Sequence, residues 1–502
     1  MVKSSQSEPQ EFCQERSALM ESLKREKKLR VLAEAALRDR AEPGKVGARH
    51  SSRTILKPKR RGVLGLLDKA GFALGKALRR ESPGASRVRK RIASDAQSRG
   101  AGDSDIAVEA KLTPYFTNNT APSPGLVLDV CIVTTCSFPG GNASSTLDEL
   151  AFFSKLGLRV LLVHCPTSKN SKRISERYTP WMDKIVHVDD VPSVQCKVLI
   201  VRHPRVIVSE RFQRFATQLE CDRGVFVVNN SAYRQTGEAV FRWHELVELV
   251  ERFPYPEKSI HPIGPAVREE AIKEGMAHAL AAVDWSPTFN AEQIPFVRRC
   301  LMIEPFVIGR HGRDGAEKWL ESSEGLLSAY PSSSEIYVKI LGGANKAKLT
   351  IGTIPDNWLV YPFGSVNVPE FLSSLDAFVY FPHSELNEAF GRTIVEAAFS
   401  GLPCILPPRF RTTFGDLALY CEPEDVVNIL HRLAQDNVKR QHFVSAVRDE
   451  AVSRYESSAL LRRLPELSST AGSSETGQQS TISAELLEYK RWVERGSEPL
   501  ND

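Results

Sequence analysis

The chain has 502 residues, 42% of them hydrophobic and 25% charged, which suits several globular units and excludes a collagen-like, mucin-like or wholly disordered protein. Its net charge of +5 hides an asymmetry: residues 53–91 carry 13 Lys/Arg against Asp68 and Glu81, a local +11 that leaves −6 elsewhere. No apolar run reaches the roughly 18 residues that span a bilayer, and the start MVKSSQSEPQEF has no secretory apolar stretch, so a cytoplasmic protein is expected.

Residues 1–48 form the first segment. Within it, 11–41 place Leu19, Leu23, Leu29, Leu32, Ala36 and Leu37 in a helical stripe, with Glu26 and Arg30 in its seams. A solvated helix and a coiled-coil element for self-association fit that pattern equally. Residues 49–122 read as a basic, mostly disordered linker. Inside it, Gly62–Arg80 sets Val63, Leu66, Leu67, Ala70, Leu74, Ala77 and Leu78 on one helical side, flanked by Lys57, Lys59, Arg60, Arg61, Arg79 and Arg80. An apolar face with basic ends fits docking of 57–80 on an anionic membrane surface. A solvated linker is the alternative, and nucleic-acid binding is the least favoured of the three.

Ordered sequence begins at Leu126. Apolar, β-branched runs at Leu126–Thr135, Leu158–His164, Lys197–Val201 and Gly224–Val228 predict strands, with a helix over Ser145–Leu156 crossing between the first two. A second series follows at Phe306–Gly309, Ile336–Leu341, Leu359–Tyr361, Ala377–Phe381 and Pro403–Leu406. The expected class is α/β, with two Rossmann-like doubly wound domains over 123–290 and 291–464. Residues 465–502 read as a flexible tail with a terminal helix, Ala484–Arg495. The nine cysteines lie mostly in apolar strings without metal-ligand spacing and read as reduced core thiols.

The most informative string is Tyr380–Leu406, YFPHSELNEAFGRTIVEAAFSGLPCIL. A strand leads into a loop with His383, Glu385 and Glu388, then a helix expected from about Phe390 with Gly391 in its first turn. The free amides at Phe390, Gly391 and Arg392 suit an anionic diphosphate, and Gly391 leaves room for close approach. Glu388 stands outside the helix and Glu396 on its second turn, so one carboxylate can meet sugar hydroxyls while the other accepts from a ribose diol.

Glu388, Glu396, the Glu-Ala pair and the Gly-x-Pro turn together resemble the retaining glycosyltransferases of the two-domain B fold (GT-B), close to family 4. Phe414–Asp425, FGDLALYCEPED, extends the likeness, which covers about 125–464. The resemblance implies a donor-sugar contact for Glu388 and a ribose contact for Glu396. It also implies a Gly-Arg and a following Lys facing the donor's diphosphate, which fall on Arg310 and Lys318. The gap between them is long, and Arg313 is the alternative to Arg310. A Gly-rich turn beside the diphosphate and acceptor falls on Gly140, Gly141 and Asn142. A first-half His near the donor sugar falls on His203 or His164, with Arg234 a further acceptor-side candidate. His261–Pro265 leads out of the first half.

No Asp-x-Asp follows a strand, so neither metal nor other cofactor is expected, and a nucleoside-diphosphate sugar is the expected co-substrate. The function implied is transfer of that sugar, with retention, to a glycan or lipid-linked acceptor, in polysaccharide or cell-surface glycan synthesis at the inner face of a membrane. A non-catalytic scaffold and a nucleotide-sugar epimerase of the same fold are the alternatives.

Overall fold

Short β-branched strands that alternate with helices bury both faces, and parallel pairing is their usual outcome. The computed structural model describes residues 126–496 except 169–172, 235, 300 and 471–481. The expectations for 11–41 and 57–80 lie outside the described residues.

The first sheet comprises β1 (Leu126–Thr134), β2 (Val160–His164), β3 (Ile185–His187), β4 (Val194–Arg202), β5 (Leu219–Val228) and β6 (Glu257–Pro262). The second comprises β7 (Phe306–His311), β8 (Ile336–Leu341), β9 (Trp358–Tyr361), β10 (Ala377–Val379), β11 (Cys404–Leu406) and β12 (Leu419–Tyr420). Their orders are β3-β2-β1-β4-β5-β6 and β12-β11-β10-β7-β8-β9. All strand pairings within the two sheets are parallel, with Val130 opposite Val160, Val133 opposite Val201 and Phe378 opposite Gly309. The fold class is therefore two doubly wound α/β sheets. The strand order reverses between β1 and β4 and between β7 and β10, which is where open sheets of this kind bind ligands.

Three helices bear on the site, α1 (Gly141–Lys155), α2 (Pro265–Lys273) and α3 (Arg392–Phe399), while α4 (Asn437–Tyr455) packs on α3 and α5 (Ala484–Arg495) on α4. Helix α1 starts four residues earlier than the sequence suggests, because Gly140 already stands in extended backbone as its N-cap.

The chain crosses between the lobes twice, side by side. Phe289 N–H donates to Tyr455 O at 2.8 Å and Ser457 N–H to Phe289 O at 3.0 Å. After the second crossing, Leu460, Leu464 and Leu467 enter the first sheet's core beside Val130, Ile132, Val198 and Val225. Arg463 donates to Ser286 O at 2.6 Å, and Arg223 donates to Arg463 O at 3.2 Å. The end of the segment expected to belong to the second lobe thus packs on the first, drawn by its leucine face.

Helix α5 is docked as well. Tyr489 and Val493 are buried, Arg432 Nε donates to Val493 O at 2.6 Å, and Glu494 accepts from Tyr420 N–H at 3.0 Å and Lys490 at 2.7 Å. A tail read as flexible from its Ser/Thr/Gly content ends in an amphipathic helix that covers β12. Cys131, Cys136, Cys165, Cys196, Cys221, Cys404 and Cys421 are free and buried, and burial pushes the thiols of Cys131, Cys136 and Cys404 above their ordinary pKa. No helix among the described residues is long and apolar enough to cross a membrane.

Glu149 on α1 pairs with Arg202 at the end of β4, both side chains fully buried, and accepts from Trp285 Nε1 at 2.9 Å. That cluster joins helix, sheet and interlobe segment. Glu149→Ala leaves Arg202 charged and unpaired in the core and is expected to cost about 3–5 kcal/mol. Glu149→Gln, which keeps a hydrogen-bond acceptor for Trp285, should lose less; urea denaturation of the two variants checks the order.

Candidate functional site

The segments after β1 and β6 in the first lobe meet the segment after β10 in the second, through Arg392 with Asp148 and Ser145 and through Asn387 with Glu270, and the loop after β7 joins them at Glu388. The loop after β10 supplies the centre of the site. Glu388 Oε2 accepts from Lys318 Nζ at 2.5 Å and from Tyr380 OH at 2.8 Å. The Glu388 and Lys318 side chains are 16% and 17% exposed. Burial works against the charge on Glu388, yet Lys318, the Tyr380 hydroxyl and Arg313 together hold its carboxyl below the ordinary range. Its Oε1 has no hydrogen-bond partner among the described residues.

Gly391 has φ +89°, in the left-handed region, and serves as N-cap to α3, which begins at Arg392. The helix therefore starts later than the sequence suggests, and the left-handed turn sets the Glu388 loop against the helix tip. A Cβ on Gly391 would lie 3.0 Å from Ile394 Cδ1 and 3.3 Å from Phe414. The first amides of α3, at Arg392 and Thr393, point out of the helix as free donors at its positive end.

Arg392 contributes more than its amide. Its guanidinium reaches into the first lobe, donating to Asp148 Oδ2 at 2.8 Å and Ser145 Oγ at 3.1 Å, and its Cζ lies 4.1 Å over the Phe289 ring. It also lies 3.7 Å from Glu396, whose Oε2 is 3.3 Å from His311 Nε2. Burial raises the Glu396 pKa against the pull of Arg392 and Arg177. Burial and the neighbouring Arg310 push His311 down to about 3, so its ring is neutral.

Arg310 and Arg313 are placed differently. Arg313 is exposed, with its charge acting on Glu388. Arg310 is 2% exposed, its Cζ 4.0 Å from the Trp319 ring centroid and 4.8 Å from that of Tyr380, and it donates to Lys318 O at 2.5 Å. The guanidinium faces aromatic rings and a carbonyl, away from the cleft surface.

On the first-lobe side, Gly140 and Gly141 begin α1, and a Cβ on Gly141 would lie 3.6 Å from Arg392 Cδ, so this turn abuts the start of α3. Asn142 donates to Thr134 Oγ1 at 2.9 Å and accepts from Asn229 Nδ2 at 2.7 Å, linking the ends of β1 and β5. His203 follows β4 with φ +91°, an unusual conformation for a residue with a side chain. Its Nδ1 accepts from Arg205 N–H at 3.2 Å, and its Nε2 lies 3.1 Å from the Asn230 amide. Burial and then Arg205 bring its pKa to about 4.

His164 is fully buried under the first turn, accepting from Cys136 N–H at 3.1 Å. Arg234 is spent on Glu238 at 2.6 Å in an exposed hairpin. Neither joins the cluster around Glu388.

Sequence reasoning missed several participants. Tyr380 and Trp319 read as strand and loop aromatics; Asp148 and Glu270 lie on helices with no motif. Glu270 of α2 accepts from Trp243 Nε1 at 3.0 Å, Ala232 N–H at 2.6 Å and Asn387 Nδ2 at 3.4 Å, a bond that crosses the lobes. Gly264 sits so close that a Cβ there would lie 3.1 Å from Ala389 O. The Gly-Pro in His261–Pro265 was the available signal for that contact. Between α2 and residues 409–413 lies a cavity of about 280 Å³, lined in part by Glu269, Asn387, Glu388, Arg409 and Thr413.

Among the described residues, Glu304, Glu335 and His431 bring potential metal-ligand atoms within 4.8 Å of one another. They precede β7 and β8 or lie on a distant helix, at the opposite strand ends from Glu388.

No protein-family model and no curated protein sequence matches the chain. Solved structures do. HepE from Anabaena, in complex with UDP and glucose, has a TM-score of 0.51 at 14% identity, covering 68% of this chain and 99% of that one. The same protein with UDP-glucose gives 0.50, 14%, 68% and 100% in the same order. A glycosyltransferase from Rickettsia africae gives 0.50 at 11% identity, over 69% of this chain and 99% of its own. The shared feature is the fold: this chain has the two-domain B fold of glycosyltransferases.

The left-handed Gly391 and the depressed histidines make separate expectations. Gly391→Ala forces a side chain into that conformation and should lose about 1–2 kcal/mol in a thermal melt. His203 and His311 stay neutral when folded but protonate below about 6.5 when unfolded, so the unfolded chain takes up protons first. Stability should accordingly fall as pH drops from about 6.5 toward 4, and the urea midpoint at pH 5 should lie below that at pH 7.

Proposed function

We propose that the protein is a glycosyltransferase that moves a sugar from a nucleoside-diphosphate sugar to an acceptor hydroxyl, with retention at the anomeric carbon. The observation that carries this reading is the ionised, oriented Glu388 at the mouth of the cleft, next to a glycine-capped helix tip, in a chain with the two-domain B fold. A neutral cleft would have little use for a buried carboxylate braced by a lysine and a tyrosine.

In this reading the diphosphate lies against the first amides of α3, with Lys318 and Arg313 opposing its charge. That arrangement stabilises the additional negative charge that develops on the distal phosphate as the bond from anomeric carbon to phosphate oxygen breaks. Glu388 Oε1 accepts from donor-sugar hydroxyls, and Glu396 holds the ribose diol. The Gly140–Gly141 turn and Asn142 form the opposing wall. His203, neutral and conformationally restrained, faces the sugar from the first lobe. The acceptor hydroxyl attacks the anomeric carbon on the face the diphosphate leaves, and its proton passes to the departing phosphate oxygen. Retention follows from the family resemblance. A uridine donor is the first to try, because HepE was solved with UDP-glucose.

A glycan or lipid-linked acceptor accords with the basic amphipathic pattern of 57–80, which would hold the enzyme at an anionic membrane surface. The B fold commonly meets the diphosphate with helix amides and basic side chains, and this site supplies both, so no metal is assigned.

A thermal-shift panel of UDP-, GDP- and TDP-sugars should raise the melting temperature with one base, and that donor should then be turned over with release of free nucleoside diphosphate. Glu388→Ala should cut this release by about 100-fold or more. A scaffold would release none in either form, and an epimerase would leave the diphosphate attached to an altered sugar.

A further inference from the structure

We infer that Arg310 is a positioning residue that sets Glu388, with Tyr380 as its second arm, and does not itself bind the donor's diphosphate. The inference rests on the transferase reading and departs from the role that the family resemblance assigns to this arginine.

Four groups surround the Arg310 guanidinium, the Lys318 carbonyl, the Tyr380 and Trp319 rings and the Tyr330 hydroxyl, and two of them lead to the same oxygen. It donates to the backbone carbonyl of Lys318, whose Nζ reaches Glu388 Oε2 at 2.5 Å. It lies 4.8 Å from the ring centroid of Tyr380, whose hydroxyl reaches Glu388 Oε2 at 2.8 Å. Trp319 also packs on the guanidinium, its ring centroid 4.0 Å from Cζ. Trp319 is itself held, stacked on Trp358 and donating to Asp314 Oδ1 at 3.1 Å. Tyr330 OH donates to Val379 O at 3.0 Å and so secures the end of β10 just before Tyr380.

A planar cation can lie between two rings and still donate in its own plane; a lysine ammonium cannot do both. With Arg310 2% exposed, a diphosphate would have to displace Trp319 or Tyr380 to reach it. Arg313, exposed and electrostatically in reach of Glu388, needs no such displacement. Both supports grip Oε2, so Glu388 is fixed by one oxygen while Oε1 stays available to a sugar hydroxyl.

The two roles separate by ligand. A positioning role acts on the sugar end of the donor; a diphosphate contact acts on UDP and UDP-sugar alike. Calorimetric titration of the full chain with UDP and with UDP-glucose reads this directly, with the donor found in the nucleotide panel and its parent diphosphate replacing them if it carries another sugar or base. Tyr380→Phe and Arg310→Lys should leave UDP affinity within about twofold of wild type while lowering turnover by about 10–100-fold. Tyr380→Phe should also move the acid limb of kcat to higher pH, because the carboxylate loses a hydrogen bond to its charged form. Arg313→Ala should weaken UDP and UDP-glucose together, by about tenfold.

The inference is overturned if Arg310→Lys weakens UDP binding as much as Arg313→Ala does. It is equally overturned if Tyr380→Phe, which removes a single oxygen and spares the packing, leaves turnover and the acid limb unchanged. Failure of the underlying reading looks different: wild type then binds none of the nucleotides tried, or Glu388→Ala turns donor over at the wild-type rate.

Discussion

A carboxylate at the junction of two lobes remains ionised only while its desolvation is offset, and Glu388 meets that condition through one oxygen. Lys318 and Tyr380 converge on Oε2, with Arg313 adding charge from the surface. Satisfying the charge locally has a structural consequence. The lysine must be delivered by the loop after β7 and the hydroxyl by the residue after β10, so the two central strands of the second sheet must end in register at the cleft. They do, with Phe378 opposite Gly309, and a Cβ on Gly309 would lie 2.8 Å from Leu375 and 2.5 Å from Lys339 O. The glycine of the Gly-Arg pair is therefore a packing requirement of the sheet, and the arginine beside it turns inward.

Contacts across the cleft are of a different kind. Arg392 with Asp148 and Ser145 and Glu270 with Asn387 are polar side-chain contacts, and the buried Gly264 packs against Ala389. The two chain crossings at Phe289 and Ser457, by contrast, are backbone bonds beside buried apolar side chains. A cleft spanned by a handful of side-chain contacts beside crossings held by backbone bonds is the distribution expected of lobes that close on a ligand and reopen. Asp148 shows the balance within one pair: burial raises its pKa while Arg392 opposes the rise.

The histidines illustrate how burial decides chemistry. His203, His261 and His311 are all held neutral, at about 4, 4 and 3. For His203 the hydrogen bond from Arg205 N–H settles which ring nitrogen accepts, and the neutral ring keeps positive charge off the first-lobe wall. The cations around the cleft are then Lys318, Arg313, Arg392, Arg409 and Arg177, together with the tip of α3.

Much of the architecture was legible in the chain itself, because strands buried on both faces leave continuous β-branched runs, and nine of the twelve were visible that way. The other three, β3, β6 and β12, were not: β3 and β12 have three and two residues, and β6 opens with the polar Glu257-Lys258-Ser259 at a sheet edge. The Glu388–Glu396 string was also legible, since a helix start with a glycine and two spaced carboxylates is local. What the amino-acid order could not decide was direction. Whether Arg310 points to the cleft or against aromatic rings, whether Arg392 serves its own lobe or the other, and which hydroxyl reaches Glu388 all depend on how the chain folds back on itself: Tyr380 is only eight residues from Glu388, while Arg392 meets Asp148 across 244 positions. Sequence periodicity determines which face of an element is buried, whereas partners across a fold are chosen only when the chain closes and each buried charge must find the group that can neutralise it.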